Sequence, residues 1–447
     1  MSDELPNGWA SVRLEEVVTA KKGKKPAVLR DTPADGFVPY LDIHAIEKNV
    51  VRQFAEVKSS KLAATDDLFV VWDGARSGWV GGGITGAIGS TIMALTAQQA
   101  ESSYVRHFIA SQFQTLNNNT RGTGIPHVDP EVFWNLEVPL APLAEQRRIV
   151  AKLETLLGKV DASQQRLAKI PVLLKRFRQS VLAAACSGRL TADWREENEF
   201  DVQTGDSAEV PDDFPSLPET WRWQSLESVC EKIVDCPHST PKWAESGRLC
   251  VRTTNFKPGF LDLSVVRYVS DATFNERIER LRPKPSDILY SREGGILGIA
   301  CMIPPKVELC LGQRMMLFRT KSDFSAALLM HWLNSRVILR RVQELTGGSA
   351  SPHLNVRDIK SFPTPLAPLS EQQEIVRRVE GLFALADQLE ARLAKARGQV
   401  EKLTPSLLAR AFAGQLVPQN PKDEPASKLL ERINASHESK SQRDVRK

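Results

Sequence analysis

An α+β architecture, with two mixed α/β heads joined by two long antiparallel coiled-coil helices in a pseudo-twofold internal repeat, is predicted by three observations on this 447-residue chain. Residues 126–190 recur without insertion or deletion at 352–416, a constant offset of 226. Within each copy a four-three apolar spacing runs for about 33 residues, the signature of a helix that packs on a partner helix. Upstream of each copy the correspondence loosens: Trp9 matches Trp221 at an offset of 212, Asp67 matches Asp287 at 220, and Gly89 matches Gly312 at 223. Two variable heads are thus joined to two metrically fixed rods.

Each rod is justified by its stripe. From Ile149 the walk passes Leu153, Leu156, Val160, Ser163, Leu167, Ile170, Leu174, Phe177 and Val181, with Ser163 as its only polar member. From Ile375 it passes Val379, Leu382, Ala386, Leu389, Leu393, Ala396, Val400, Leu403 and Leu407, all apolar. At 1.5 Å per residue such a helix is roughly 50 Å long. Pro142 and Pro368 suit helix entrances, and Gly188 and Gly414 suit exits. Pro171 removes a backbone donor inside the first stripe and is expected to kink or break it, while the second copy has Arg397 there and a later Pro405. Two quasi-identical units pack most simply about a twofold axis, which makes the helices antiparallel and places the heads at opposite ends.

The heads follow. The runs Leu68, Phe69, Val70, Val71 and Ile92, Met93, Ala94, Leu95 predict strands in head one, with a helix near 104–116. Head two repeats this with strands at 287–290 and 315–318 and a helix near 326–344. The boundaries are head one 1–138, spacer helix region one 139–190, an acidic, turn-rich linker 191–216, head two 217–364, spacer helix region two 365–416 and a polar tail 417–447. Residues 427–433 suit a short helix, the last residues suit disorder, and the tail is expected to pack near the start of head one.

Composition bounds the chemistry. With 42% hydrophobic and 25% charged residues the chain suits a large cytoplasmic protein, and no apolar run is long enough to span a bilayer, so no membrane partner is expected. A net charge of +5 hints weakly at a polyanionic partner. Six cysteines without a Cys-x-x-Cys pair, and seven scattered histidines, argue against a metal site and for reduced, buried thiols. No phosphate-binding Gly-x-x-x-x-Gly-Lys-Ser/Thr loop and no Asn-Pro-Pro-Phe/Tyr methyltransferase motif is present. Residues 81–86 match Gly-x-Gly-x-x-Gly, but residues 87–95 read as strand rather than as the helix a dinucleotide site needs, so a glycine-rich hairpin is expected.

Several of these words carry a resemblance. The entrances at 139–143 and 365–369 share the letters Pro-Leu-Ala-Pro-Leu, followed by Glu145-Gln146 with Ile149-Val150 and Glu371-Gln372 with Ile375-Val376. With the rod endings at 174–182 and 406–412 and the Leu-Pro-x-x-Trp openings at Leu5 and Leu217, the chain resembles the specificity subunits of type I restriction–modification enzymes over nearly its whole length. The resemblance implies that the heads are target-recognition domains, each reading one half of an interrupted site in double-stranded DNA. It implies that the rods set the spacing and dock two modification (methyltransferase) subunits, and that restriction (translocase/nuclease) subunits complete the complex. On this reading the chain is not an enzyme by itself and binds no cofactor, and S-adenosylmethionine, ATP and Mg2+ belong to the partners. A coiled-coil scaffold whose heads bind protein or sugar is the alternative, and it predicts no sequence-selective DNA binding.

DNA contacts require Lys, Arg and small hydroxyls for phosphates, and forked donors for base edges. In head one these are Lys21, Lys22, Lys24, Lys25, Arg76, Ser77, Asn119, Arg121 and Thr123. In head two they are Arg252, Thr254, Asn255, Ser291, Arg292, Thr346 and Ser349. Arg76 and Arg292 are read as following equivalent strands. The lysine run equally suits a plain solvated surface. His127 and His353 are assigned to the junction of head and rod. The interhelix packing set is Ile149, Leu153, Leu156, Val160, Leu167, Ile170, Leu174 and Phe177, with Ile375, Val379, Leu382, Leu389, Leu393, Val400, Leu403 and Leu407 from the second copy.

Overall fold

The computed structural model describes residues 5–122, 124–200, 207–347 and 352–444. They form two compact units, Met1–Ala168 with Lys395–Lys447, and Lys169–Ala394. Each unit therefore holds one head, the start of its own rod and the end of the other copy's rod.

In the first unit, strand Ala10–Arg13 pairs antiparallel with Glu137–Leu140, closing the head at the point where the rod begins. A four-stranded sheet runs Val18–Lys22, Ile92–Ala97, Leu68–Val71, Val80–Gly82, and a five-stranded sheet is built around Phe37–Leu41 and Gly86–Ile88. The glycine stretch opens no helix: Val80–Gly82 pairs antiparallel with Leu68–Val71 as the second strand of a hairpin, and Gly86–Ile88 follows as a strand of the other sheet. All four residues Leu68, Phe69, Val70 and Val71 are buried, which explains their unbroken apolar run. The core then gathers Tyr104, Val105, Phe108 and Ile109 from a head helix, Ile149 and Leu153 from the first long helix, and Leu408, Ala411 and Phe412 from the end of the second copy. Full burial of Ile149 and Leu153 contributes about 1.5–3 kcal/mol each. The tail joins the same core through Ala426, Leu429 and Ile433, and the Ala426 amide donates to the Gly8 carbonyl at 2.8 Å. The expected packing near the start of head one is therefore present. Its helix, Ala426–Asp444, is longer than the one expected.

The second unit repeats the plan. Strand Arg222–Ser225 pairs antiparallel with Pro363–Leu366, and a six-stranded sheet carries Cys230–Asp235, Met315–Thr320, Ile288–Ser291 and Ala300–Met302 in that order. Its core joins Val181, Leu182, Ala185 and Cys186 from the end of the first long helix to Ile375 and Val379 from the start of the second. Residues of the expected linker take part, because Phe214 stacks edge-on against Trp223 at 5.5 Å and Trp332 at 6.1 Å. The helix expected near 326–344 is two helices, Ala326–Leu333 and Arg336–Thr346. Ser335 separates them by capping the second, its side chain accepting from the Ile338 amide. The helix expected at 104–116 is likewise Ser102–Ser111 followed by Phe113–Asn118.

The long helices run Leu143–Cys186 and Leu369–Glu401, with Leu403–Phe412 continuing the second. In each unit the start of one lies against the end of the other, so they are antiparallel. Both begin directly after the entrance prolines. Both end at glycines in the left-handed region, Gly188 at φ +73° and Gly414 at φ +68°. A methyl group on Gly188 would come within 2.4 Å of Pro218, and one on Gly414 within 2.3 Å of Pro6. The two openings thus sit on the two exits, each on that of the other copy.

Two expectations about the rods are corrected, and of the kink or break expected at Pro171 the break is absent. The first helix runs through Pro171 unbroken. The proline leaves the Leu167 carbonyl without its helical donor, and Arg397, the residue at the matching position of copy two, supplies one from its guanidinium at 3.1 Å. Leu389 is 40% exposed, because in this stretch the helix contact covers only a narrow strip through Val379, Ala386 and Leu393. Leu403 is 44% exposed, since Pro405 cannot donate to the Glu401 carbonyl, the helix is interrupted at Lys402, and the inward face shifts to Leu408, Ala411 and Phe412. The other packing residues are buried or half-buried.

Candidate nucleic-acid interface

Each head is first fastened to its rod. The indole N–H of Trp9 donates to Glu145 at 3.1 Å, and that of Trp221 donates to Glu371 at 2.8 Å. The neighbouring glutamines do a second job. Gln146 donates to the Ala141 carbonyl at 2.8 Å and accepts from the Glu101 amide at 2.9 Å, while Gln372 donates to the Ala367 carbonyl at 2.8 Å and accepts from the Ser325 amide at 2.7 Å. Glu101 and Ser325 are the N-cap residues of the head helices Ser102–Ser111 and Ala326–Leu333, so the repeated Glu-Gln pair aligns head opening, rod entrance and head helix together.

From this frame each head projects one corresponding loop. Gly74 donates its amide to the Pro126 carbonyl at 2.8 Å, and Gly294 donates to that of Pro352 at 3.1 Å. Val128 bonds the Trp72 carbonyl at 2.9 Å as Leu354 bonds that of Arg292 at 2.8 Å. Backbone bridges pair Asp73 with His127 and Glu293 with His353. The pairs Trp72 with Arg292 and Asp73 with Glu293 are therefore equivalent. This corrects the match of Arg76 with Arg292: at the offset of 220 that relates the strands, Ile296 takes the place of Arg76.

In head one the loop carries a connected set of polar side chains. Lys22 donates to Asp73 Oδ2 at 2.7 Å and lies 5.7 Å from the centre of the Trp72 ring. His127 Nδ1 lies 2.7 Å from Asp73 Oδ1. Partial burial pushes the Asp73 carboxyl up, but the hydrogen bonds from Lys22 and His127 outweigh it and hold the group below the usual carboxylate range. His127 thus belongs to this loop surface rather than to the junction of head and rod. Arg76 is 52% exposed with a long ion pair to Glu47 at 3.3 Å. Lys24 and Lys25 are exposed, and Lys21, also exposed, donates to the Leu62 carbonyl at 3.1 Å. Asn119 is exposed and bonds the Thr115 carbonyl, and Arg121 is exposed but paired with Asp129 and Glu131. Ser77 is fully buried, donating to the Gly74 and Pro126 carbonyls, and so serves the loop's shape. Thr123 lies outside the described residues.

Head two uses its matching residues differently. Arg292 is buried, its guanidinium bonding both oxygens of Asp235 at 2.9 Å and the Leu354 carbonyl at 3.0 Å, so it holds the loop instead of facing outward. Ser291 is buried against Ile299, and Asn255 is buried, donating to the Asp262 and Val265 carbonyls. Arg252 is half-buried, Thr254 is exposed, and Thr346 is half-buried, bonding the Val342 carbonyl at 2.7 Å. Ser349 lies outside the described residues. The position of Lys22 is taken by Asp235, since Lys22 pairs with Met93 in one sheet as Asp235 pairs with Met316 in the other. His238 approaches that carboxylate at 3.2 Å. Sequence reasoning missed Asp73 and Asp235, because nothing local marks an acid as the anchor of a cationic surface.

With this geometry in view, the chain belongs to the type I restriction modification DNA specificity domain family, whose pattern it matches over residues 6–172 and 218–396. It is 32% identical over 345 residues to the type I restriction enzyme EcoBI specificity subunit of Escherichia coli, covering 74% of this chain and 70% of that one. It is 28% identical over 460 residues to the EcoDI specificity subunit of Escherichia coli, covering 97% and 96%. A chain from a solved structure of a type I R-M system shares the fold with a TM-score of 0.67 at 21% identity, covering 93% of this chain and 100% of that one. No helix among the described residues is long and apolar enough to cross a membrane.

Proposed function

We propose that this chain is the sequence-specific DNA-recognition subunit of a type I restriction–modification complex, each head reading one half of a bipartite, interrupted target. The observation that carries this is the duplicated framework, in which the same fastening and the same loop present different side chains. Head one offers Lys22, Lys24, Lys25, Arg76 and His127, whereas head two withdraws Arg292 into a buried pair with Asp235. A common frame with unlike surfaces suits two unlike half-sites. On this proposal the long helices set the gap and dock two modification subunits, and restriction subunits join that assembly. The chain itself is non-catalytic. S-adenosylmethionine, ATP and Mg2+ serve the partners.

The test is selection from a random duplex library by the full chain co-purified with its modification subunits. A two-part motif with a fixed gap is expected, bound with an affinity that falls steeply as salt rises. Four residues added to one rod should change the gap. Recovery of sequence-indifferent duplexes, or of a motif read by one head only, overturns the proposal.

A further inference from the structure

His127 differs from an ordinary surface histidine in how it is held. Residues far apart in the chain converge on it: Asp73 spends one carboxylate oxygen on the His127 ring and the other on Lys22, each at 2.7 Å. The backbone under the ring is pinned by the Asp73–His127 bridge and by the Gly74 and Ser77 bonds to the Pro126 carbonyl. The ring itself remains 48% exposed. An ionised carboxylate only accepts, so it selects the tautomer with hydrogen on Nδ1 and leaves Nε2 of the neutral imidazole as an acceptor. An oriented acceptor beside Lys22 is suited to a base edge, because an acceptor has nothing to bond on a phosphate and finds donors on the exocyclic amines of bases. In head two an exposed histidine, His353, occupies the same backbone bridge, while the residues around it are exchanged, Asp235 for Lys22 and Arg292 for Trp72. The perch is shared and its surroundings differ.

We propose that His127 is a base-reading side chain of head one, with Asp73 as its positioning residue, accepting at Nε2 a hydrogen bond from the exocyclic amine of an adenine or cytosine. This inference rests on the DNA-reading function proposed above. It assigns that function to one named acceptor in one half-site.

The bipartite target supplies its own control. Binding is measured for the full chain with its modification subunits, on duplexes in which each base pair of both half-sites is replaced in turn. His127→Ala should lower discrimination at one base pair of one half-site by about tenfold, leaving the other half-site and the salt slope unchanged. Asp73→Asn should relax the same base pair, and the double variant should be no worse than His127→Ala. Unchanged discrimination in His127→Ala overturns the inference. So does equal weakening on every sequence with a shallower salt slope, the mark of a phosphate contact. A wild-type complex without bipartite preference defeats the functional proposal itself, whereas a wild-type complex that reads two half-sites beside an unaltered His127→Ala defeats this assignment alone.

Discussion

Alanine at Glu371 should destabilise its unit far more than alanine at the matching Glu145, although the two residues occupy the same place in the repeat. Glu371 is fully buried and accepts four hydrogen bonds: from the Trp221 indole at 2.8 Å, the Thr191 hydroxyl at 2.7 Å, and the Arg195 guanidinium at 3.0 and 2.6 Å. Arg195 is only 16% exposed, so removing the carboxylate strands a charge with little access to water. The loss should be about 3–5 kcal/mol. Among the described residues Glu145 accepts only from the Trp9 indole, at 3.1 Å, and its Oε1 is buried without a partner. Burial raises the Glu145 pKa, so its charged form is a cost to the fold that truncation relieves. Losing the indole bond should cost about 1 kcal/mol, partly offset by that relief. Glutamine sharpens the contrast: Glu145→Gln should be neutral or stabilising at pH 7, and Glu371→Gln should still leave Arg195 unpaired. Because the chain has two units, a single melting temperature would blur them, and hydrogen exchange followed on the head helices Ser102–Ser111 and Ala326–Leu333 separates them. Equal loss of protection in the two variants, or a larger loss for Glu145→Ala, would refute the reasoning.

Two other outcomes are expected. Arg397→Leu should cost about 1–2 kcal/mol by orphaning the Leu167 carbonyl, and Pro171→Ala should restore the helical donor and make Arg397→Leu nearly silent, a coupling that a double-mutant cycle read by urea unfolding would detect. His107 and His331, one in each head, are buried with Nε2 unpartnered among the described residues, and burial draws both pKa values down to about 4. Their depressed pKa values mean that stability is full above the unfolded value of 6.5 and is lost as pH falls towards 4, by roughly 3 kcal/mol per histidine. His107→Leu with His331→Leu should flatten the decline in urea midpoint between pH 6.5 and 4, and an unaltered decline would place the acid sensitivity elsewhere.

What was legible in the sequence was what is local and periodic. The stripe from Ile149 to Val181, the entrance prolines and the exits at Gly188 and Gly414 each act over a few residues, and the chain folds as they direct. The repeat also made Trp9 and Trp221 visible as a pair. Their partners were hidden, since Glu145 lies 136 residues from Trp9 and Glu371 lies 150 from Trp221. The exposure of Leu403 is not legible from the stripe, because the regular phase ends at the interruption before Pro405 and the buried face resumes at Leu408, Ala411 and Phe412. The place of Arg292 is not legible from residue type, because its burial depends on Asp235 from another strand. The loop cluster of Lys22, Asp73 and His127 joins three distant segments, so no window of sequence contains it.

The seating of Pro6 on Gly414 and Pro218 on Gly188 bears on what can be cut from this gene product. Each half, expressed by itself, would lack the closing turn on which its own first residues rest, and would expose the apolar core surface that the other half's helix end covers. Fragments split between the halves should aggregate when made singly and recover solubility when made together. Stability is therefore owned jointly, and neither half is a module in the sense of surviving excision.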